Sequence, residues 1–169
     1  MSLAQPLPDH ALLTRYRDAQ AYTDCFAIDI PATVTLAQYI EAFYTSPLFK
    51  LERVVLATLV ARPSNDAQAR RLAKGEITKF AAWTQQARTD NQILMLDFMK
   101  KTCSWLMIEP LADSGPAGGT RLWFGTAVVP ERISADGRVR LGLGFHALLW
   151  AHKLYSAALL RAAAQRLRG

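Results

Sequence analysis

The sequence predicts an α+β domain in which a curved antiparallel β-sheet wraps around one long C-terminal helix. Three observations support this prediction. Helical apolar periodicity between residues 35 and 74 gives way to four short runs rich in β-forming residues between 78 and 129. Residues 145–167 then form an Ala- and Leu-rich stretch without Gly or Pro. An amphipathic helix of that length must bury its apolar stripe, and the sheet supplies the large apolar surface that it needs.

Length and composition indicate a single globular domain. The chain has 169 residues, of which 51% are hydrophobic and 20% are charged, so a core can form without a disulfide or a metal. We assign residues 1–169 to one domain, with 1–20 as an N-terminal extension. No apolar stretch is long enough for a membrane span or a signal peptide. We expect Cys25 and Cys103 to be buried thiols, which favours a cytoplasmic protein.

The positive charge of the chain is concentrated in its last part. Of the net charge of +6, +5 falls within residues 131–169. A basic patch could bind nucleic acid or anionic lipid. These cations are, however, spread singly, with no run of Lys or Arg and no interleaved aromatic motif. We therefore expect a solvated helix face and no specific nucleic-acid partner.

The first elements in the chain are a strand and a capped helix. We expect a strand over Tyr22–Ile30, because this apolar-rich run ends at Pro31. A helix should begin after Thr35, whose hydroxyl can cap it, with Gln38 completing a capping box three residues later.

Two further helices are expected before the sheet. Ser46 can cap the first of them, with Pro47 at its first helical position. The other is predicted over residues 66–74 and closed by Gly75. The apolar stripe of the first is expected at Leu48, Leu51, Val55 and Leu59.

The middle of the chain predicts an antiparallel meander. Its short runs are separated by polar or glycine-rich turns. Asp136 and Gly137 mark another turn, after which residues 138–141 could add a short strand. The four main runs are residues 78–85, 92–99, 102–110 and 120–129.

The C-terminal helix is predicted over residues 145–167. Lys153 and Arg161 occupy its polar side. Its apolar stripe comprises Leu148, Leu149, His152, Tyr155, Leu159, Ala163 and Leu167.

This order of elements, with four local segments, resembles the START superfamily. The segments are residues 22–26 (YTDCF), 46–48 (SPL), 104–110 (SWLMIEP) and 119–122 (GTRL). The superfamily is also known as SRPBCC, birch-pollen-allergen-like or polyketide-cyclase-like, and its fold is called the helix grip. The resemblance covers roughly residues 22–167, and the chain looks most similar to bacterial members of the superfamily. It implies a cavity between sheet and C-terminal helix, in which relatives bind lipids, sterols, polyketides or plant hormones, and a minority catalyse cyclisation or dehydration.

The resemblance and the strand alternation together define a candidate ligand site. We expect Glu109 and Arg121 to point away from the cavity as a cross-strand ion pair. The residues that alternate with them on the same strands should then line the cavity. A register slip of one residue would invert this assignment. The expected ligand-binding residues are Phe43, Leu48, Leu106, Ile108, Leu122, Phe124, Thr126, Leu149, His152 and Tyr155.

Three functions remain open at this point. Binding of a small hydrophobic or amphipathic molecule is favoured, without a cofactor. A cyclase-, dehydratase- or isomerase-like enzyme would use His152, Asp97 or Tyr155 as an acid–base residue, although aspartates such as Asp24 and Asp29 most often face solvent. A protein-interaction module would have its cavity filled by side chains. We expect no metal site, because His146 and His152 lie six residues apart and point in different directions on a helix.

A homodimer is the favoured assembly. In the run 102–110 both alternating faces are substantially apolar, whereas a solvated outer face normally alternates apolar with polar residues. Either residues 3–19 or a second subunit should cover the outer face.

Overall fold

A computed structural model of the chain describes residues 3–59, 61–112, 118–128 and 143–168, without the side chains of 3, 55, 56, 59 and 143–151. It shows an α+β architecture with a seven-stranded antiparallel sheet. The strands are β1 (Leu3–Ala4), β2 (Tyr22–Ile30), β3 (Lys79–Phe80), β4 (Trp83–Arg88), β5 (Gln92–Asp97), β6 (Thr102–Pro110) and β7 (Thr120–Val128). The helices are α1 (Thr14–Asp18), α2 (Leu36–Tyr44), α3 (Pro47–Leu59), α4 (Asp66–Ala73) and α5 (Leu143–Arg168).

The strand order in space is β1-β2-β7-β6-β5-β4-β3. Strand β6 lies at the centre, and β7 lies between β6 and β2. The first long strand of the chain therefore pairs with the last, and α2, α3 and α4 fall in the connection between β2 and β3.

The predicted helix starts are confirmed. Thr35 and Gln38 form the reciprocal capping box at α2. The Ser46 hydroxyl accepts a hydrogen bond from the backbone N–H of Phe49 at the start of α3. Helix α4 covers the predicted segment and has a capping box of its own, made by Asn65 and Gln68.

Several predicted boundaries need correction. The run 78–85 is divided into β3 and β4 by a tight turn, in which Ala81 has a φ of 50°. Strand β5 ends at Asp97, whose carboxylate accepts backbone N–H groups of the following turn. Strand β1 and helix α1 were not predicted, because segments of two and five residues are too short to show a strand or helix periodicity of apolar residues. The strand considered over 138–141 lies outside the described residues.

One face of the sheet packs against the helices. Its buried core includes Phe26, Leu106 and Leu122 from the central strands and Leu159 and Ala163 from α5. Leu106 and Leu122 lie on this face together with Ile108 and Phe124, as the sequence predicted. Helix α2 is tied to the sheet by the Tyr39 hydroxyl, which donates to the carbonyl oxygen of Trp123.

The opposite face of the sheet is covered by the N-terminal segment of the chain. Ala11 and Leu13 are buried there against Trp105 and Met107. The Gln92 side chain fixes this segment, because its oxygen accepts from Leu12 N–H and from the Trp105 indole, and its nitrogen donates to the His10 carbonyl oxygen. The N-terminal segment, and not a second subunit, thus covers the apolar outer face. The exposed apolar face from which we expected a homodimer is therefore not present in the described part of the chain.

The expected ion pair between Arg121 and Glu109 does not form. Arg121 lies directly opposite both Glu109 and Asp29, and it makes two hydrogen bonds with Asp29, at 2.7 and 2.8 Å. Glu109 instead accepts hydrogen bonds from the Trp123 indole at 2.6 Å and bonds the His10 ring at 2.8 Å. Two donors already occupy the Glu109 carboxylate, so the arginine binds the other acid.

At Gly125 the N-terminal segment approaches the sheet closely. A Cβ at this position would lie 2.9 Å from both the Asp24 carbonyl oxygen and Leu13 Cδ2, and 3.0 Å from the Trp105 ring. A glycine is therefore required for Leu13 to pack directly on the strand.

We predict that Gly125→Ala destabilises the protein by about 1–3 kcal/mol, because the new methyl group overpacks this contact. Chemical denaturation of Gly125→Ala, Leu13→Ala and the double variant measures the coupling. The glycine substitution should cost less when Leu13 is already truncated. Additive costs would contradict the contact between Leu13 and Gly125.

Candidate functional site

A cavity of about 240 Å³ lies between the sheet and helix α5. It is bounded by α2 and α3 on one side and by the ends of β6 and β7 on the other. Its apolar wall is mainly aromatic, formed by Phe43, Phe49, Trp83, Phe124 and Leu159. Its polar side chains are Glu52, Thr102, Ser104, Thr126, His152, Tyr155 and Ser156.

The aromatic wall is a continuous packed cluster. The Phe43 ring is 4.9 Å from that of Phe124 and 5.9 Å from that of Phe49, measured between centroids. Tyr44 lies behind them, 4.8 Å from Phe49 and 5.1 Å from Phe80. The rings on this side of the cavity therefore pack against one another in edge-to-face and tilted pairs.

Half of the predicted ligand-binding set lines this cavity. Phe43, Phe124, Thr126, His152 and Tyr155 all contribute to it.

The other predicted ligand residues lie elsewhere. Leu106, Ile108 and Leu122 share the correct sheet face but pack in the core farther along β6 and β7. Leu48 is half-buried against the core outside the cavity. The side chain of Leu149 lies outside the described residues.

Asp97 is not part of the cavity, which corrects its place among the acid–base candidates. Its carboxylate accepts hydrogen bonds from the backbone N–H groups of Met99, Lys101 and Thr102. An aspartate at the end of a strand commonly bonds the backbone of the turn that follows it. The residue therefore has a structural role in the β5–β6 turn.

Asp24, Thr126 and His152 form a hydrogen-bonded chain at the back of the cavity. Asp24 lies directly opposite Thr126, and its Oδ1 accepts the Thr126 hydroxyl at 2.6 Å and the Thr126 backbone N–H at 3.2 Å. His152 Nε2 is 2.8 Å from the same hydroxyl and 3.8 Å from Asp24 Oδ2. The Asp24 side chain is only 7% exposed, so the expectation that it faces solvent is wrong.

The direction of these hydrogen bonds determines which nitrogen of His152 carries a proton. The single hydroxyl proton of Thr126 is donated to Asp24, an acceptor that also receives a backbone N–H. His152 Nε2 must then be the donor to Thr126 Oγ1. In the neutral imidazole, Nδ1 is consequently the basic atom.

Tyr22 contributes to the same cluster. Burial, the charge of Asp24 and hydrogen bonding to Asp24 together raise the pKa of Tyr22 to about 12. Tyr22 and Thr126 thus place hydroxyl groups beside the Asp24 carboxylate. Polar neighbours of this kind reduce the cost of burying a carboxylate.

Glu52 and Tyr155 form the second polar group of the cavity. The Tyr155 hydroxyl donates to Glu52 Oε2 at 2.5 Å. Burial raises the pKa of Glu52, and this hydrogen bond opposes that effect in part. The pKa of Tyr155 is raised by burial and by the charge of Glu52. The pair thus holds a desolvated carboxyl group against the wall of the cavity.

The sequence reasoning missed Glu52 because it placed the wrong face of α3 inward. Leu51, in the predicted stripe, is 63% exposed and Val54 is 59% exposed, whereas Phe49 is buried. Apolar residues occur around most of the helix, so their periodicity does not define one face. Phe49 and Glu52, three residues apart, share the inward side.

The two cysteines do not add a reactive group. Both thiols are free and buried. Burial raises the pKa of Cys25 to about 12 and that of Cys103 to about 11. The nucleophilic thiolate is thereby disfavoured at neutral pH.

Comparison of the chain with protein-family models, with curated proteins and with solved structures found no match. Within the described residues, no group of three His, Cys, Asp or Glu side chains is arranged to hold a metal ion. In the same part of the chain, no helix is sufficiently long and apolar to cross a membrane.

We predict a pH-dependent stability difference between the wild type and Glu52→Gln. The pKa of Glu52 is raised in the folded state above its ordinary value of 4.5, so the stability contributed by the protonated form is complete below that value. It is lost as the pH rises through the folded-state pKa. Urea denaturation from about pH 4 to about pH 8 should therefore show the wild type losing stability relative to Glu52→Gln. A pH-independent difference would contradict the burial of this carboxyl group.

Proposed function

We propose that this chain is a helix-grip domain of the START-like superfamily that binds one small amphipathic molecule. The observation that carries the proposal is the cavity of about 240 Å³ between the sheet and α5. Its wall is aromatic, and its polar side chains converge from α3, β7 and α5. An apolar pocket with a few placed polar groups is the usual form of a small-molecule site.

The arrangement of elements supports the helix-grip assignment. Helices α2, α3 and α4 follow the first long strand, five further antiparallel strands complete the sheet, and α5 packs on β2 and β7. A cytoplasmic location is part of the same proposal, supported by the free thiols of Cys25 and Cys103.

The size of the cavity limits the ligand. An apolar cavity of about 150 Å³ accommodates benzene, so by proportion about 240 Å³ holds about ten non-hydrogen atoms. Drug-sized ligands occupy pockets of about 300–1,000 Å³. A molecule of one ring with a short polar side chain fits this cavity better than a sterol or a phospholipid.

An acid–base enzyme is the second candidate function. His152 offers a basic Nδ1 held in one tautomer by Thr126 and Asp24, while the raised pKa of Glu52 favours its use as a proton donor. Incubating the co-purified molecule with the protein and following its conversion by NMR tests this function. Conversion that His152→Gln abolishes without loss of binding would support it, and an unchanged molecule would exclude it.

We predict that Thr102→Trp removes the bound molecule. Thr102 is half-buried at the edge of the cavity, so a large ring there fills the space without replacing a core residue. Native mass spectrometry of protein purified from its host should show a non-covalent small-molecule adduct on the wild type and none on the variant.

Lys101→Trp provides the matched control, because this neighbouring side chain is exposed and does not line the cavity. It should retain the adduct. Wild-type protein without an adduct, combined with a higher melting temperature for Thr102→Trp, would contradict the proposal, since the cavity would then be a packing void.

A further inference from the structure

The carboxylate of Glu52 faces the cavity, and no Lys or Arg among the described residues forms an ion pair with it. Its Oε2 accepts the Tyr155 hydroxyl, and Oε1 has no hydrogen-bond partner among the described residues. The two cations on the same helix are directed elsewhere. Lys50 and Arg53 both bind Asp66, at 2.7 and 2.5 Å.

The remaining wall of the cavity offers Glu52 no positive charge either. No Lys or Arg is present among the described residues that line it. His152, one turn before Tyr155 on α5, is bonded to Thr126 and lies near Asp24. A buried carboxylate is normally paired with a cation or with several donors, because removing it from water is costly. Glu52 is half-buried and has one donor among the described residues, so one of its oxygens is left for a further donor.

The aromatic wall supplies a second, independent preference for positive charge. Phe43, Phe49, Phe124, Trp83 and Tyr155 all line the space beside Glu52. The face of an aromatic ring carries negative electrostatic potential and attracts ammonium groups, most strongly where water is excluded. Rings and a carboxylate together make a site for an organic cation that also has an apolar part.

We propose that the ligand of this cavity is a small protonated amine carrying an aromatic or apolar group, whose ammonium binds Glu52 Oε1. This inference rests on the proposed ligand-binding function and names the chemical class of the ligand. The ammonium supplies the missing donor of Glu52, and the apolar part lies against Phe43, Phe49 and Phe124. The cavity volume limits this class to amines with a single ring or a short alkyl chain.

Three probes of similar size and different charge test the inference. They are 2-phenylethylamine, which is a cation at neutral pH, 2-phenylethanol, which is neutral, and phenylacetate, which is an anion. Isothermal titration calorimetry should show that the wild type binds the amine at least about tenfold more tightly than the alcohol. Phenylacetate should bind most weakly, because its charge repels that of Glu52.

The variants locate this preference at Glu52. In Glu52→Gln the amine should lose its advantage over the alcohol, to within about threefold, while the alcohol affinity changes little. Glu52→Asp keeps the charge and should retain a preference for the amine. Glu41→Gln on α2 is the matched control, since it removes an equal charge that does not line the cavity. Circular dichroism and melting curves establish that each variant is folded.

The outcomes separate this inference from the proposed function. If the wild type binds alcohol and amine equally and Thr102→Trp abolishes both, the cavity binds ligands but the preference for cations is wrong. An undiminished preference in folded Glu52→Gln overturns the role of that residue. If no probe binds at millimolar concentration, the amine class is wrong, and native mass spectrometry of the wild type decides the proposed function separately.

Discussion

The burial of both faces of the central strands is the constraint on which the rest of this structure depends. Strand β6 places Leu106 on the helix side and Trp105 and Met107 on the other, and all three are fully buried. A layer of helices on one face leaves the other apolar face of such a sheet exposed to water. The chain supplies α2–α5 to one face and its N-terminal segment to the other, so the segment before β2 belongs to the core of the domain.

The cavity arises from small residues at defined positions within this two-sided packing. Along the paired strands β6 and β7, Leu106 faces Phe124, but the next pair on the same side is Ser104 and Thr126. The short side chains of Ser104 and Thr126 leave space between the sheet and α5, and Ser156 on α5 is also small. The polar atoms that result are tolerated because Thr126 is bonded to Asp24 and to His152.

Much of the fold could be predicted from local pattern, and much of the site could not. The boundaries of β2 and β6 and the caps of α2 and α3 follow from neighbouring residues. The sheet face was also predictable from strand alternation. The inward position of Glu52 depends on how α3 packs against α5, which residues within α3 do not encode.

Asp24 illustrates the same limit on a strand. Its alternation with Phe26 and Ile28 places it on the helix side, yet an isolated aspartate is most often exposed. Its burial is favourable because Thr126 donates a hydrogen bond to it. Thr126 is separated from Asp24 by most of the chain, and no residue near Asp24 in the sequence indicates this partner. Long-range partners of this kind decide the protonation and orientation of a site, and they become visible only in three dimensions.

The two carboxylates near the cavity differ in their position, and this difference bears on the proposed ligand. Asp24 Oδ1 receives the Thr126 hydroxyl and backbone N–H, and its Oδ2 lies 3.8 Å from His152. It is held in place behind Thr126 and does not line the cavity. Glu52 does line the cavity, and among the described residues its hydrogen-bond donor is Tyr155, so under our proposal the ligand's donor binds Glu52. The carboxylate that orders the site and the carboxylate to which we assign the ligand are therefore different residues, one bonded behind Thr126 and the other lining the cavity.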